Sequence, residues 1–269
     1  MGYNLTLMRM GPDFNPGMGF NTRNNYTRLS GILSYGWLPG ETSRIYRHRI
    51  RPIAIPFINN TTGKLESNFW GLIWNMATKA GSELEVWPRF TYDALTDTFF
   101  VSDDEQTYVP PRPRNYRFYE TVATYNTIPG NRLRGTFTLT VGRYYDGWRQ
   151  SLSVLPTWTI SRYLNLSSYV EYNQVGFPSR SQRFDALITR LRVQVTLNTT
   201  LSLLAFVQTN SAADAAIVNV RFRYNPREGT DLYLVYNENL LTDRTGQEPQ
   251  PLLTDSRTIL LKYSVTFIR

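Results

Sequence analysis

Cysteine is absent from the 269 residues, and histidine occurs once, as His48. The first absence excludes disulfides, thiolate nucleophiles and cysteine-based metal sites. The second excludes metal sites with several histidines and leaves His48 as the one base on which a Ser-His-Asp triad could be built. Because Arg47 and Arg49 flank it, a charged imidazolium is disfavoured there. We predict that His48 is structural or exposed and that the chain is not an enzyme.

Motifs for other chemistry are also missing. Gly17-Met18-Gly19 lacks the third glycine and the following helix of a phosphate-binding loop. The run Asp103-Asp104-Glu105 has neither the spacing nor the glycine of a calcium loop, so a solvated acidic loop is favoured over a calcium site. No motif links the carboxylates that could form a glycosidase pair, which are Asp93, Asp97, Glu120 and Glu171. We therefore predict no cofactor and no metal.

Long apolar stretches are missing as well. A spanning helix needs about 20 apolar residues, whereas the longest runs, such as 201–207, have the length of a strand. This argues against membrane-spanning helices but is compatible with a transmembrane β-barrel, whose strands alternate and look only mildly hydrophobic. Residues 1–10 lack the basic start, apolar run and cleavage site of a signal peptide. If the protein is exported, we expect this chain to start downstream of its signal.

Charge of one sign is nowhere concentrated in a block. Lysine and arginine number 29 against 21 acidic residues, which gives a net charge of +8. Because this excess is scattered, a charged lumen or a solvated face is favoured over a nucleic-acid partner. A soluble β-domain that binds nucleic acid is the weaker alternative. Aromatic residues make up 14% of the chain, with 18 tyrosines, and such a composition favours sheet.

What the sequence does have is alternation of apolar and polar residues, the period-two pattern of strands with two different faces. In the window 187–197 one face is apolar, with Leu187, Leu191, Val193, Val195 and Leu197. The other face is polar, with Arg190, Arg192, Gln194 and Thr196. Similar windows lie at 163–173, 216–224 and 258–267.

Extended along the chain, this pattern predicts an all-β protein of about fourteen antiparallel strands. The approximate spans are 3–9, 28–38, 44–57, 67–78, 82–92, 114–125, 131–143, 148–159, 163–173, 185–196, 200–209, 214–224, 230–238 and 256–268. Proline cannot donate to a strand ladder. We therefore expect a bulge or a break near each proline inside these spans, namely Pro52, Pro56, Pro88 and Pro156.

The predicted connections alternate in length. Six are short turns rich in Gly, Pro and Asn, at 39–43, 79–82, 126–130, 161–162, 198–199 and 225–229. The alternate set has two short members, 145–147 and 211–213, and five long ones, 11–27, 58–66, 93–113, 174–184 and 239–255. Short turns on one side and long loops on the other are typical of outer-membrane barrels. A soluble sandwich or propeller is the alternative, against which strands of ten or more residues argue.

Several segments resemble one known family. The stretch from Arg221 to Glu238, RFRYNPREGTDLYLVYNE, is the most specific. Further segments that look like family motifs are Ala205–Asn210, Gly142–Gly147, Asp13–Phe20 and the ending Leu260–Phe267. Together they cover nearly the whole chain and resemble putative outer-membrane barrels of the domain-of-unknown-function 5916 family.

This resemblance implies a location and an architecture. Members of the family usually have a signal peptide, a domain similar to family 9 carbohydrate-binding modules and then a large barrel. The segment Asp13–Phe20 sits mid-barrel in relatives but lies near residue 1 here. The chain therefore resembles the C-terminal part of a member, with fourteen strands that either close alone or belong to a larger barrel. We expect residues 1–269 to form one barrel domain or the C-terminal part of one.

The candidate site residues follow from the alternation. If the apolar stripes face lipid, the opposite arginines face the lumen, where they would favour anionic solutes; these are Arg190, Arg192, Arg221, Arg223, Arg132 and Arg134. The alternative is that these arginines pair with carboxylates and stiffen the wall, the candidates being Glu171, Asp231 and Asp185. The aromatics near strand ends, Trp87, Trp148, Tyr144 and Tyr145, are interpreted as an interfacial girdle, with stacking on sugars as the alternative. Tyr263, Val265 and Phe267 are interpreted as the signal that barrel assembly machinery reads, although Ile268-Arg269 follows it.

The sequence thus predicts an antiparallel transmembrane β-barrel in the outer membrane of a Gram-negative bacterium. Its expected role is a pore, a transport element or a membrane anchor with a basic lumen. Its expected partners are outer-membrane lipid and lipopolysaccharide, the assembly machinery, and anionic solutes or glycans, but not nucleic acid. The alternative is a surface glycan-binding or glycan-processing protein whose active module is missing from this chain.

Overall fold

A computed structural model describes residues 1–17, 19, 23–102, 105–112, 115–243 and 253–266. Fourteen strands form one antiparallel sheet, in which each strand lies beside the next strand of the set along the chain. These strands are β1 (Gly2–Met10), β2 (Tyr26–Trp37), β3 (Ile45–Asn59), β4 (Leu65–Thr78), β5 (Glu83–Asp93), β8 (Tyr116–Asn126), β9 (Leu133–Tyr144), β10 (Gly147–Thr159), β11 (Leu164–Phe177), β12 (Gln182–Thr196), β13 (Leu201–Asn210), β14 (Ala215–Arg227), β15 (Thr230–Leu241) and β16 (Thr254–Val265). Two short strands, β6 (Phe99–Phe100) and β7 (Tyr108–Val109), form a separate hairpin.

The helical content of the described residues is a single 3-10 turn, Pro178–Arg180. Among these residues no helix is long and apolar enough to cross a membrane.

The fourteen strands predicted from alternation are confirmed, with differences at their ends. Strand β11 runs to Phe177 and β12 starts at Gln182, so the connection predicted at 174–184 is a short turn. The connection predicted at 58–66 shrinks in the same way, because β3 runs to Asn59 and β4 starts at Leu65. The extension of β11 lacks regular alternation, since the strand ends in four consecutive buried residues. The prediction that these two loops are long is therefore wrong.

Pro52 and Pro56 interrupt the sheet on one side only. Pro52 and Pro56 lie on β3, where paired positions with β4 run through both, Pro52 with Leu72 and Pro56 with Asn68. Toward β2 the prolines have no paired residue, while the residues before and after them pair in one unchanged register. Residues four apart in a strand direct their N–H groups to the same neighbour, so both missing donors fall on the β2 side. The expected break near these prolines is confirmed, and a register shift follows directly after Phe57.

The chain divides into two compact units. The first comprises residues 1–128, 138–151 and 174–184, and the second comprises 129–137, 152–173 and 185–269. In the first unit, one sheet face is rich in aromatic and aliphatic side chains, with rows of directly opposed residues such as Tyr35, Ile50, Trp74, Val86 and Ala123. The opposite face has buried polar side chains, which include Ser67, Asn75, Thr91 and Glu120.

The first unit also contains a hydrophobic cluster that the sequence did not predict. Its buried members come from the β6–β7 hairpin and from β8 and β11, and they are Val109, Tyr116, Phe118, Val175 and Phe177. Val109 and Phe177 are fully buried, each with 0% of its surface exposed. The hairpin within the loop 94–115 therefore packs against the sheet. The solvated acidic run was predicted at Asp103 to Glu105, of which only Glu105 is described, and it is exposed. Asp103 and Asp104 lie outside the described residues.

The hairpin loop is held by ion pairs at Asp146, in the turn between β9 and β10. Arg112 Nη2 lies 2.6 Å from Asp146 Oδ2, and Arg180 Nη2 lies 3.0 Å from Asp146 Oδ1. The preceding Tyr145 has a left-handed backbone, with φ of 51°, and donates a 2.8 Å hydrogen bond to Asp93 Oδ2. Burial and the Asp93 carboxylate raise the pKa of the Tyr145 phenol well above its ordinary value. The phenol therefore stays protonated and keeps donating to Asp93.

We expect Asp146→Asn to loosen the hairpin without unfolding the sheet, because it removes the charge that Arg112 and Arg180 share. Amide hydrogen exchange in residues 99–109 should rise by about tenfold, as expected for a loop that opens locally. Asp97→Asn, a neutralisation at an exposed position of the same loop, should leave the exchange unchanged. Equal exchange in the two variants would mean that the apolar cluster alone holds the hairpin.

Candidate functional site

The candidate site is the polar face of the second unit, which the register of β12 to β16 defines. In an antiparallel pair, directly opposed residues share a face. Starting from Arg192, the successive partners are Phe206, Asn219, Asn237 and Thr258. Each residue one step along a strand belongs to the other face, so this row fixes the sides of the residues in the regular part of the five strands, up to the register shifts after Tyr224 and Asn239.

The face opposite Arg192 is apolar over three consecutive rows. The first of these rows is Val193, Ala205, Val220, Tyr236 and Ile259. Large side chains on this face are exposed, including Leu191 at 49% and Ile259 at 69%. On β15 and β16 the apolar rows end at an ion pair in which Arg257 Nη2 lies 2.5 Å from Glu238 Oε1.

The face that contains Arg192 also contains most of the arginines predicted from the sequence. Arg190, Arg221 and Arg223 lie on it, as their partners Gln208, Leu204 and Ser202 do. Within the part of the chain that the structure describes, the guanidinium groups of Arg192 and Arg221 form no ion pair and no hydrogen bond. Arg192 on β12 and Arg221 on β14 therefore place two positive charges on this face without a partner among the described residues.

Arg190 is held in place by three neighbours. Its Nε and Nη2 donate to Gln208 Oε1 at 3.2 and 3.1 Å. Its Cζ lies 5.5 Å from the ring centroids of both Tyr169 and Phe206, which is the range of cation–π contacts. Neither ring was a candidate in the sequence, because the residues lie 21 and 16 positions from Arg190 and on other strands.

The other predicted residues divide between pairing and hydrogen bonding. Arg223 and Asp231 form an ion pair with Nε and Oδ1 at 2.7 Å, which is the pairing alternative for this arginine. Glu171 accepts hydrogen bonds from the Tyr169 hydroxyl and, at 2.7 Å, from Asn173 Nδ2. Asp185 Oδ1 accepts from the Tyr172 hydroxyl at 2.8 Å.

Arg132 and Arg134 lie at the start of β9. Arg132 is exposed and precedes the strand. Arg134 Nη1 donates to Thr159 Oγ1 at 3.2 Å, and Asn165 Nδ2 donates to the same hydroxyl oxygen at 3.2 Å. These two arginines therefore lie apart from the cavity that Arg190 and Arg192 line, described below.

Tyr263 and Val265, predicted as part of an assembly signal, lie on the apolar face of β16. Tyr263 is opposed to Leu232, and Val265 to Thr230. Phe267 lies outside the described residues.

A cavity opens on the polar face between β10 and β14, with a volume of about 390 Å³. Its wall is mixed in character, because two arginines lie beside hydroxyl groups and beside apolar side chains. The lining residues are Leu155, Thr157, Ser167, Ser168, Tyr169, Arg190, Arg192, Leu204, Phe206 and Asn219. No carboxylate is among them.

The polar face of the first unit has a charge cluster of a different kind. Glu120 is only 4% exposed and lies between two arginines. Its Oε1 accepts from Arg89 Nε at 2.6 Å, and its Oε2 accepts from Arg149 Nη2 at 2.6 Å. The sequence offered Glu120 as one unlinked carboxylate, because its partners are 31 and 29 residues away.

Three of the four predicted girdle residues are not on the exposed apolar face of the first unit. Trp87 shares a face with Arg89, whose guanidinium lies 5.2 Å from its ring, and Tyr144 and Tyr145 pack against the buried cluster. Trp148 packs over Gly176, where an added Cβ would come within 2.6 Å of the indole. The girdle prediction is therefore wrong for Trp87, Tyr144 and Tyr145, because their contacts with Arg89 and with the buried cluster place them away from that face. For Trp148 it stays a prediction.

Other aromatic residues occupy the exposed apolar face, in two groups. Near the 38–44 turn, His48 stacks between Trp37 and Trp74, with ring centroids 5.0 and 5.8 Å apart. Six residues further along β3, Ala54 is opposed to Trp70, and Trp70 stacks on Phe90 at 4.3 Å. His48 thus has a structural position within an aromatic stack.

Comparison of the chain with protein-family models gave no match, and comparison with curated proteins gave none either. The likeness of segments such as Arg221–Glu238 to the domain-of-unknown-function 5916 barrels therefore stays a prediction.

Proposed function

We propose that this chain forms the wall of a β-barrel in a bacterial outer membrane and acts there as a pore, a transport element or a membrane anchor. The observation that carries the proposal is the inverted exposure of the sheet. In the first unit, large apolar side chains such as Trp70, Phe90 and Tyr119 are exposed on one face, while polar groups such as Glu120 and Asn75 are buried on the other. Water disfavours so extended an apolar surface, whereas lipid tails solvate it.

Strand length supports the same proposal. A tilted strand needs about 9–11 residues to cross the hydrocarbon layer. Every strand of the large sheet has between 9 and 15 residues. Lipid, lipopolysaccharide and the barrel assembly machinery are the partners that follow from this proposal.

Heat modifiability tests whether the chain folds as a barrel. The protein is refolded in detergent micelles, and boiled and unboiled samples are compared on an SDS gel. We expect the unboiled sample to migrate faster and to show β-type circular dichroism in micelles. A folded, soluble monomer in buffer without detergent would contradict the proposal.

Ion selectivity tests the role of the arginine face. In planar bilayers with a salt gradient, we expect the wild-type channel to prefer anions, because Arg192 and Arg221 have no carboxylate partner in the described chain. The double variant R192Q/R221Q should lower the anion-to-cation permeability ratio by about twofold or more. The control R132Q/R227Q removes the same net charge outside these rows. An equal change in the control would show that net charge, and not this face, sets the selectivity.

A further inference from the structure

We infer that the cavity on the polar face of the second unit binds a solute that joins an oxyanion, such as a carboxylate, to a ring or an alkyl body. This inference rests on the proposed function, which supplies the route by which solutes reach the cavity. It extends that function by naming the class of solute that the wall recognises. Binding itself depends only on the second unit and can be measured without conductance.

The charge of the cavity selects the oxyanion. Arg192 projects from the same face as Arg190, two residues along β12, and its guanidinium has no hydrogen bond or ion pair within the described residues. A guanidinium binds carboxylate through two parallel hydrogen bonds. The nearest carboxylate on the adjoining strand, Glu171, already accepts from Tyr169 and Asn173. The positive charge of Arg192 is thus available to a ligand.

The rest of the wall selects the body of the solute. Phe206 and Tyr169 are fixed on either side of Arg190 by cation–π contacts, and Leu155 and Leu204 add aliphatic surface. Thr157 and Ser167 also line the cavity, and their hydroxyl groups can donate to further ligand oxygens. A volume of about 390 Å³ is within the range of small-molecule sites. A simple inorganic anion would leave the apolar part of this wall unused.

The cavity also differs from the other charged sites of the chain. Arg89 and Arg149 are both paired with the buried Glu120, and Arg223 is paired with Asp231. In those places a carboxylate of the chain already takes the position of the anion. At Arg192 a ligand carboxylate would supply the missing partner, and Arg190 would add a second positive charge nearby.

The test uses the whole chain, refolded in zwitterionic micelles and labelled with ¹⁵N-arginine. The Nε–Hε resonance of Arg192 is assigned from its loss in R192Q. Phenylacetate is titrated against phenylacetamide, which has the same shape without the charge, and against inorganic sulfate. We expect phenylacetate to shift the Arg192 resonance saturably, with an affinity at least about tenfold above that of phenylacetamide, as one charge-assisted hydrogen bond provides.

Variants separate a built site from diffuse charge. We expect R192Q to weaken phenylacetate binding, followed at the remaining arginine resonances, by about tenfold, while R132Q, which removes a charge outside the cavity, leaves it unchanged. F206A should weaken phenylacetate binding but not sulfate binding, and its faster migration when unboiled would show that it still folds. Equal affinity for phenylacetate and phenylacetamide, or equal loss in R192Q and R132Q, would overturn the inference. A chain that binds phenylacetate selectively but conducts no ions would refute the pore and leave the site standing.

Discussion

Replacing Val220 by arginine is expected to destabilise the folded protein in lipid by about 2–4 kcal/mol, the cost of an arginine on the lipid face near the bilayer midplane. Val220 lies on the apolar face, in a row between Ala205 and Tyr236. Its side chain would have to place a guanidinium in hydrocarbon, where hydrogen-bond partners are scarce. Since 1.4 kcal/mol corresponds to a factor of ten, the folding equilibrium should fall by about 30-fold to 1,000-fold.

Ile217 provides a matched control on the same strand. It is also β-branched and aliphatic, but it lies on the polar face, between Gln208 and Asn239. An arginine there can reach water, so Ile217→Arg should change the stability by less than about 1 kcal/mol. Both values come from denaturant unfolding in lipid vesicles. Equal costs at the two positions, or a larger cost at Ile217, would mean that lipid does not cover the apolar face.

The second large effect is expected at Glu120, whose substitution by glutamine should destabilise the protein by about 3 kcal/mol, the lower end of the cost of removing one member of a buried ion pair. The carboxylate is 4% exposed and is shared by Arg89 and Arg149. Glutamine keeps the shape but not the charge, so two guanidinium groups would face each other across a neutral amide. Partial exposure of both arginines, 22% and 24%, lets water offset some of this cost.

Glu85 is the control for this effect. It pairs with Arg51 at 2.6 Å on the same unit, but its side chain is 37% exposed. Solvent-exposed ion pairs contribute about 0–1 kcal/mol, so Glu85→Gln should have a correspondingly small effect in the same unfolding experiment. If the two variants lose the same stability, the burial of Glu120 does not decide the strength of its cluster.

The sequence alone determined the strands and the faces of the sheet. Alternation is a local property: residues two apart lie on the same side of any strand, whatever the strand pairs with. The pattern at 187–197 therefore placed Arg190 and Arg192 opposite Leu191 and Val193 without knowledge of a neighbour. The same argument gave fourteen strands, because each window needs only its own residues.

Tertiary structure decided which side chains meet. Arg89, Arg190 and Arg223 all lie in segments of alternating character. In the structure, however, Arg89 pairs with the buried Glu120, Arg190 contacts the rings of Tyr169 and Phe206, and Arg223 pairs with Asp231. These outcomes depend on register between strands, and a change of register by one residue would exchange every partner. No local pattern contains that register.

The ends of strands and the fate of the long loop also needed the fold. The β6–β7 hairpin has strands of two residues each, too short to show alternation, and it is ordered by packing against Phe118 and Phe177. Tyr145, at the end of β9, reads as an exposed rim residue in the sequence and packs against that same cluster. Periodicity determines on which face of a strand a residue lies. Contacts between distant segments determine whether that residue is buried, because the apolar area removed from water depends on which segment covers the residue.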